Sequence, residues 1–95
     1  MNILQNRCMG RPPTPTTEAD RATGSVLWSA RESLGLDLRQ AESMTGITKS
    51  VISRIERGER PCRVTELITL AEAYGASPTR LFKAVVKAIA ETERD

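Results

Sequence analysis

The chain has 95 residues, 39% hydrophobic and 27% charged, and its 14 basic and 12 acidic side chains give a formal net charge of +2. This length predicts one domain with a single modest core, too small to enclose a separate catalytic cleft. Because the sequence contains no histidine, the commonest general base and metal ligand is missing, and we expect no enzyme, no metal site and no cofactor.

Residues 1–22 are predicted to form a flexible, disordered arm. Three prolines and three threonines stand between residues 12 and 17, a composition that favours extended chain over a packed element. Gly10-Arg11-Pro12 matches the core of a minor-groove AT-hook, but Met9 and Pro13 stand where a full hook carries basic residues. The arm is therefore either a DNA-contacting segment or a plain disordered tail.

The first helix is predicted to run from about Ser25 to Gly35, at the start of a compact unit over residues 23–82. Its inward positions are expected to be those at helical spacing: Leu27, Ala30 and Leu34.

Two short amphipathic patterns follow, with one glycine between them. In the first, Leu38–Thr45, the positions spaced for burial are Leu38, Ala41 and Thr45. Gly46 stands where a tight turn between crossing helices needs a positive φ angle. Thr48 is a good N-cap for the second helix, and Gly58 stands where helices commonly end on glycine.

The second helix of this pair separates its apolar from its polar side chains. The expected inward residues are Ile47, Ile52, Ile55 and, in part, Val51, and the expected outward residues are Lys49, Ser50, Ser53, Arg54 and Arg57. A helix pair bent at a glycine, whose second helix exposes side chains able to reach base edges, is how many proteins read a major groove. The pattern predicts a helix-turn-helix that binds double-stranded DNA, and the alternative is an ordinary helical hairpin with a solvated surface.

A fourth helix is predicted from about Arg63 to Tyr74, with Cys62 at its start and Gly75 at its end. Its apolar residues available for burial are Val64, Leu67, Ile68, Leu70 and Ala71.

The last helix occupies residues 78–95, with Ser77 as cap and Pro78 in the first turn. Leu81 and Phe82 are expected to close the core. The remaining apolar stripe comprises Val85, Val86 and Ile89, and it predicts a symmetric homodimer, because one helix-turn-helix reads only a half-site. The alternative is that this helix folds back on its own core.

Positive charge is concentrated around the helix pair rather than spread along the chain. Between Arg39 and Arg63 there are six basic residues and three acidic ones. Neutralising phosphates supplies sequence-independent affinity for DNA, so this distribution favours DNA binding more than the net charge does.

A series of landmarks runs through the chain: Ala30-Arg31-Glu32, Gly35-Leu36, Leu38-Arg39, Thr45-Gly46-Ile47-Thr48, Ile52-Ser53-Arg54-Ile55-Glu56-Arg57-Gly58, Arg60-Pro61, Leu67, Leu70-Ala71-Glu72-Ala73 and Tyr74-Gly75-Ala76-Ser77. In this order they resemble the phage-repressor and Cro-like helix-turn-helix family, also called the xenobiotic-response-element type, from about Val26 to Phe82. Two positions depart from the family, which often has alanine at Glu42 and serine at Cys62. The resemblance implies an all-α, five-helix, lambda-repressor-like DNA-binding domain with a disordered N-terminal arm and an extended C-terminal helix.

The resemblance also implies roles for particular residues. In the family, an arginine of the first helix pairs with a glutamate at the end of the recognition helix, and Arg31 and Glu56 match these positions. The alternative for these two residues is a pair of independent surface charges. Base contacts are expected from Lys49, Ser50, Ser53 and Arg54, since arginine and lysine can donate to guanine O6 and N7. Phosphate contacts are expected from Arg39, Gln40, Thr48, Arg57, Arg60 and Arg63.

The predicted function is a sequence-specific transcriptional regulator, encoded by a phage or other mobile element and acting as a repressor. The alternative is an antitoxin-type module that binds a toxin through the C-terminal helix, so a protein partner is also possible. No apolar run reaches the length of a membrane span or signal sequence, and a cytoplasmic, nucleoid-associated location is expected. In that compartment Cys8 and Cys62 are not expected to form a disulfide.

Overall fold

The computed structural model describes residues 17–93, and every regular element within them is a helix. The helices are α1 Glu18–Ser33, α2 Leu38–Thr45, α3 Lys49–Glu56, α4 Val64–Ala73 and α5 Pro78–Glu93. The prediction of an all-α, five-helix fold is confirmed. None of the described helices is long and apolar enough to cross a membrane.

Helix α1 begins earlier than its apolar spacing predicts. Thr17 is its N-cap: the Asp20 N–H donates to the Thr17 hydroxyl at 3.2 Å, and the Thr17 N–H donates to the Asp20 carboxylate at 3.0 Å. This reciprocal capping box starts the helix in a polar stretch, where apolar periodicity gives no signal. The predicted arm boundary at residue 22 and the predicted start at Ser25 are therefore wrong. Cys8 and the Gly10-Arg11-Pro12 motif lie outside the described residues.

All five helices contribute to one aliphatic core. Its most deeply buried large side chains are Leu27, Ile52, Ile55 and Leu70, each less than 2% exposed. Burying a leucine or isoleucine side chain contributes about 1.5–3 kcal/mol relative to exposure. Because two of these four residues belong to α3, the core holds this helix by its inner face.

Several apolar residues predicted to be inward are exposed. Leu34 follows the last residue of α1 as its C-cap, and 53% of its surface is accessible. Phe82 is also 53% exposed, because it is turned about 100° around α5 from the buried Leu81. On α4, Val64 and Ile68 are exposed while Leu67 faces the core, so the fourth helix buries a narrower stripe than its composition suggests.

Helix α5 packs mainly against α1 and also against α4. Val85 is only 5% exposed and belongs to the core, and Ile89 packs partly against the core. The prediction that Val85 forms a dimer seam is therefore wrong, and Ile89 is only partly available. Val86 is 50% exposed, so the outward side of α5 carries Val86 together with Phe82.

Candidate nucleic-acid interface

The turn between α2 and α3 is built by local hydrogen bonds. Gly46 ends α2 with a φ of 79°, a conformation that residues other than glycine rarely adopt. The Thr45 hydroxyl donates to the Ala41 carbonyl at 2.8 Å and accepts the Ile47 N–H at 3.0 Å. Thr48 then caps α3 by accepting the Val51 N–H at 3.4 Å. These contacts orient α3 relative to α2 as in a helix-turn-helix.

Helix α3 presents a polar face to solvent. Lys49, Ser50 and Arg54 are exposed, while Ser53 is half-buried. None of the ion pairs among the described residues involves Lys49 or Arg54. Both cations are therefore available to an external acceptor, as base readout requires.

A buried ion pair joins α1 to the end of α3. The Arg31 guanidinium donates to both carboxylate oxygens of Glu56, from Nε at 2.8 Å and from Nη2 at 2.9 Å, and the two side chains are only 7% and 5% exposed. Arg31 Nη1 also donates to the Leu36 carbonyl at 2.6 Å. The hydrogen bonds to Glu56 raise the pKa of Arg31 despite the opposing effect of burial. Such a bidentate pair fixes direction as well as distance, so the C-terminal end of α3 is held to α1 and to the loop after it.

Tyr74, the C-cap of α4, lies in the same part of the core. It is 4% exposed, and among the described residues its hydroxyl has no hydrogen-bond partner. Burial, followed by the nearby charge of Glu56, raises the pKa of Tyr74 to about 12. No local pattern in the sequence predicts that this tyrosine lies near the ion pair.

Two glycines permit close approach between α1 and the end of α3, and neither contact was predicted. A Cβ atom on Gly24 would lie 2.6 Å from the Glu56 carbonyl oxygen, closer than real Cβ contacts allow. Gly58 has a φ of 74°, and a Cβ there would lie 2.9 Å from the Cα of Arg21. The first turns of α1 therefore form part of the support for α3.

The residues predicted to contact phosphate at the start of α2 are exposed. The side-chain oxygen of Gln40 accepts the Asp37 N–H at 2.8 Å, while the Gln40 N–H donates to the Asp37 carboxylate at 2.7 Å. Within the part of the chain that the structure describes, the amide NH2 group of Gln40 has no acceptor and can donate to an external one. Arg39 and Thr48 are also exposed.

Of the three arginines after α3, two are exposed and one forms an ion pair with Glu66. Arg57 is exposed, with a long 3.5 Å contact to Glu59, and Arg63 is exposed as well. Arg60 instead donates to both carboxylate oxygens of Glu66, at 2.9 and 3.0 Å. This bonding lowers the pKa of Glu66 and raises that of Arg60. Because the charge of Arg60 is offset within the chain, this pair counts against the predicted phosphate contact of Arg60.

The start of α4 also differs from the prediction. Its N-cap is Arg63 rather than Cys62, and the Glu66 carboxylate satisfies the Arg63 N–H at 2.9 Å. Cys62 packs against the core, and burial raises its pKa to about 11. The thiol is therefore protonated at neutral pH, which fits a structural role. Among the described residues, no group of three potential metal-ligating side chains comes together.

Comparisons with solved structures agree with this geometry. The clp gene regulator ClgR from Corynebacterium glutamicum superposes with a TM-score of 0.73 at 24% identity, covering 84% of this chain and 85% of that one. The restriction-modification controller protein C.AhdI from Aeromonas hydrophila gives 0.62 at 26% identity, covering 65% and 94%. An HTH_3 family transcriptional regulator from Vibrio cholerae gives 0.64 at 29% identity, covering 70% of this chain and 39% of that one.

No curated protein sequence matches the chain. The sequence model of the helix-turn-helix family HTH_3 matches residues 29–81, which include α2, the turn, α3 and α4. The match spans more than half of the chain and includes the landmark residues from Ala30 to Ser77. The chain therefore belongs to the HTH_3 family of Cro-like, DNA-binding helix-turn-helix transcriptional regulators.

Proposed function

We propose that this regulator recognises a specific operator by placing the exposed face of α3 in the major groove. The observation that carries the proposal is the division of α3 into a buried apolar side and an exposed side, on which Lys49 and Arg54 form no ion pair with any residue between 17 and 93. The Arg31–Glu56 pair supports it by fixing how that side is presented.

The roles of the surrounding residues follow from their reach. Arg54 can donate two hydrogen bonds to guanine O6 and N7, and Lys49 can reach the same acceptors. Ser50 and Ser53 are short and contact a base only at close approach. Phosphate contacts come from residues at the start of α2 and after α3, which set the register without reading sequence: Arg39, Gln40, Thr48, Arg57 and Arg63.

Replacing Arg54 should separate readout from positioning. Arg54→Ala is expected to cost about 1–3 kcal/mol on the cognate site and to relax preference at one base pair. The matched control is Arg57→Ala, which also removes an exposed arginine but should weaken all sequences alike. Fluorescence anisotropy titrations of cognate and single-substituted duplexes measure both effects. Unchanged affinity and unchanged base preference in Arg54→Ala would mean that the face of α3 that carries Arg54 does not enter the major groove.

The regulator is further proposed to act in the cytoplasm as a homodimer, and to repress the promoter that it occupies. Phe82 and Val86 support dimerisation, because both are about half exposed on the outward side of α5. An origin in a phage or other mobile element rests on the phage-repressor landmarks in the sequence. Structural neighbours include restriction-modification controller proteins as well as the clp gene regulator.

A lysine at Val86 tests the dimer. In a two-fold dimer through α5, Val86→Lys places two like charges at the seam and should split the dimer without changing helix content. Ala84→Lys adds the same charge at an exposed position on another side of α5 and should leave assembly unchanged. Sedimentation equilibrium of both variants beside the parent is the measurement. A parent that stays monomeric at high concentration and on DNA contradicts the dimer and favours the alternative, in which α5 binds another protein as in antitoxins.

A further inference from the structure

An arginine near the start of α1 lies against the turn that follows the recognition helix. Arg21 is the fourth residue of α1, and its backbone and aliphatic stem lie against Gly58 so closely that a Cβ on Gly58 would be 3.1 Å from the Cβ of Arg21. Gly58 directly follows Arg57. The backbone and the stem of Arg21 therefore lie beside the same turn as a residue for which we propose a phosphate contact.

The present partner of Arg21 binds it only weakly. Its guanidinium contacts the Glu18 carboxylate at 2.8 Å, one turn earlier on the same helix, and the two side chains are 54% and 69% exposed. Ion pairs this exposed are screened by water and salt and contribute little. A phosphate group, to which arginine donates as it does to a carboxylate, can therefore replace the Glu18 carboxylate at little cost.

We propose that Arg21 contacts an operator phosphate, so that α1 contributes to DNA binding as well as supporting α3. This inference rests on the proposed function, because it requires α3 to dock on DNA. Arg21, from α1, and Arg57, from the end of α3, then both approach the sugar-phosphate backbone of the DNA near Gly58. The contact positions the protein and carries no sequence information.

The test compares variants that keep or remove the charge. Arg21→Met retains an aliphatic stem against Gly58 and removes the guanidinium, whereas Arg21→Lys retains a positive charge. With a short duplex of random sequence, Arg21→Met should lower the slope of log affinity against log salt by about 0.9. Its deficit relative to the parent should therefore shrink about 3.5-fold between 50 and 200 mM salt. Arg21→Lys should keep most of the slope.

Two controls fix the interpretation. Glu18→Gln removes the competing carboxylate and should leave affinity equal or higher. Arg80→Met removes an exposed arginine from α5, which packs against α1 and α4 rather than against the helix-turn-helix, and should leave the slope unchanged. Thermal unfolding of each variant checks that the fold is retained, and Arg21→Gln, which also keeps an aliphatic stem and removes the charge, replaces Arg21→Met if that variant is unstable.

The outcomes separate this inference from the proposed function. A parent that binds duplexes with the expected salt dependence, together with an Arg21→Met slope equal to that of the parent, overturns the Arg21 contact alone. If Arg21→Lys loses as much of the slope as Arg21→Met does, the side chain acts by packing on Gly58 and the phosphate contact is also overturned. A parent with no salt-dependent affinity for DNA overturns both proposals.

Discussion

Glu56→Gln is expected to destabilise the domain by about 3–5 kcal/mol, because it removes the buried partner of the Arg31 guanidinium and leaves only the half-exposed Glu32 carboxylate, 3.5 Å away, to offset its charge. Both side chains are less than a tenth exposed, and two hydrogen bonds join them. The amide has nearly the same shape as the carboxylate, so packing changes contribute little. Urea unfolding followed by circular dichroism measures the loss.

Two further variants make this result specific to the buried pair. Glu59→Gln removes a carboxylate that is about half exposed and lies 3.5 Å from Arg57, and it should change stability by about 0–1 kcal/mol. Replacing both partners, as in Arg31→Met with Glu56→Leu, should recover much of the stability lost in Glu56→Gln. A Glu56→Gln protein within about 0.5 kcal/mol of the parent, the usual range for surface substitutions, would contradict the account of how α3 is held.

Gly24→Ala is expected to destabilise the domain by about 3 kcal/mol, at the upper end of the usual range for overpacking. In an exposed helix interior the same change stabilises by about 0.5–1 kcal/mol, because glycine is a poor helix former. At Gly24, however, the new methyl would lie 2.6 Å from the Glu56 carbonyl oxygen and 2.8 Å from the carbonyl carbon. These are backbone atoms of α3, so the clash can be relieved only by moving the recognition helix away from α1.

The neighbouring Ser25 provides the control for Gly24. Ser25 is exposed in the same turn of α1, and Ser25→Ala should be neutral or slightly stabilising, by a few tenths of a kcal/mol. Thermal unfolding of the two alanine variants gives the comparison, and operator affinity should fall only in Gly24→Ala. A Gly24→Ala protein at least as stable as the parent would show that α1 and α3 are not in close contact.

The helix-turn-helix could be predicted from the sequence because local signals specify it. Gly46 supplies the positive φ angle, Thr48 caps α3, and Ile52 and Ile55 have the helical spacing of buried residues. Each of these signals depends on residues close together in the chain, so it can be recognised in a single sequence. The exposure of Lys49 and Arg54 follows from the same spacing.

The support for α3 was harder to predict because it depends on contacts between distant parts of the chain. Nothing local distinguishes Gly24 from a glycine in a linker, since its role depends on the backbone of Glu56 across the helix interface. The early start of α1 had a local signal, the capping box of Thr17 and Asp20, but apolar periodicity alone passes over it. The family resemblance assigns Arg60 to phosphate by its position after α3, and position alone does not reveal that Glu66 forms an ion pair with it.

Selection of bound duplexes from a random DNA pool tests the central claim, that α3 reads base edges, most directly. The parent should enrich one site, with two inverted half-sites about one helical turn, roughly 34 Å, apart. A parallel selection with Arg54→Ala should return the same site with preference lost at one base pair in each half-site. No enrichment by the parent, or an unchanged site from Arg54→Ala, would contradict the account.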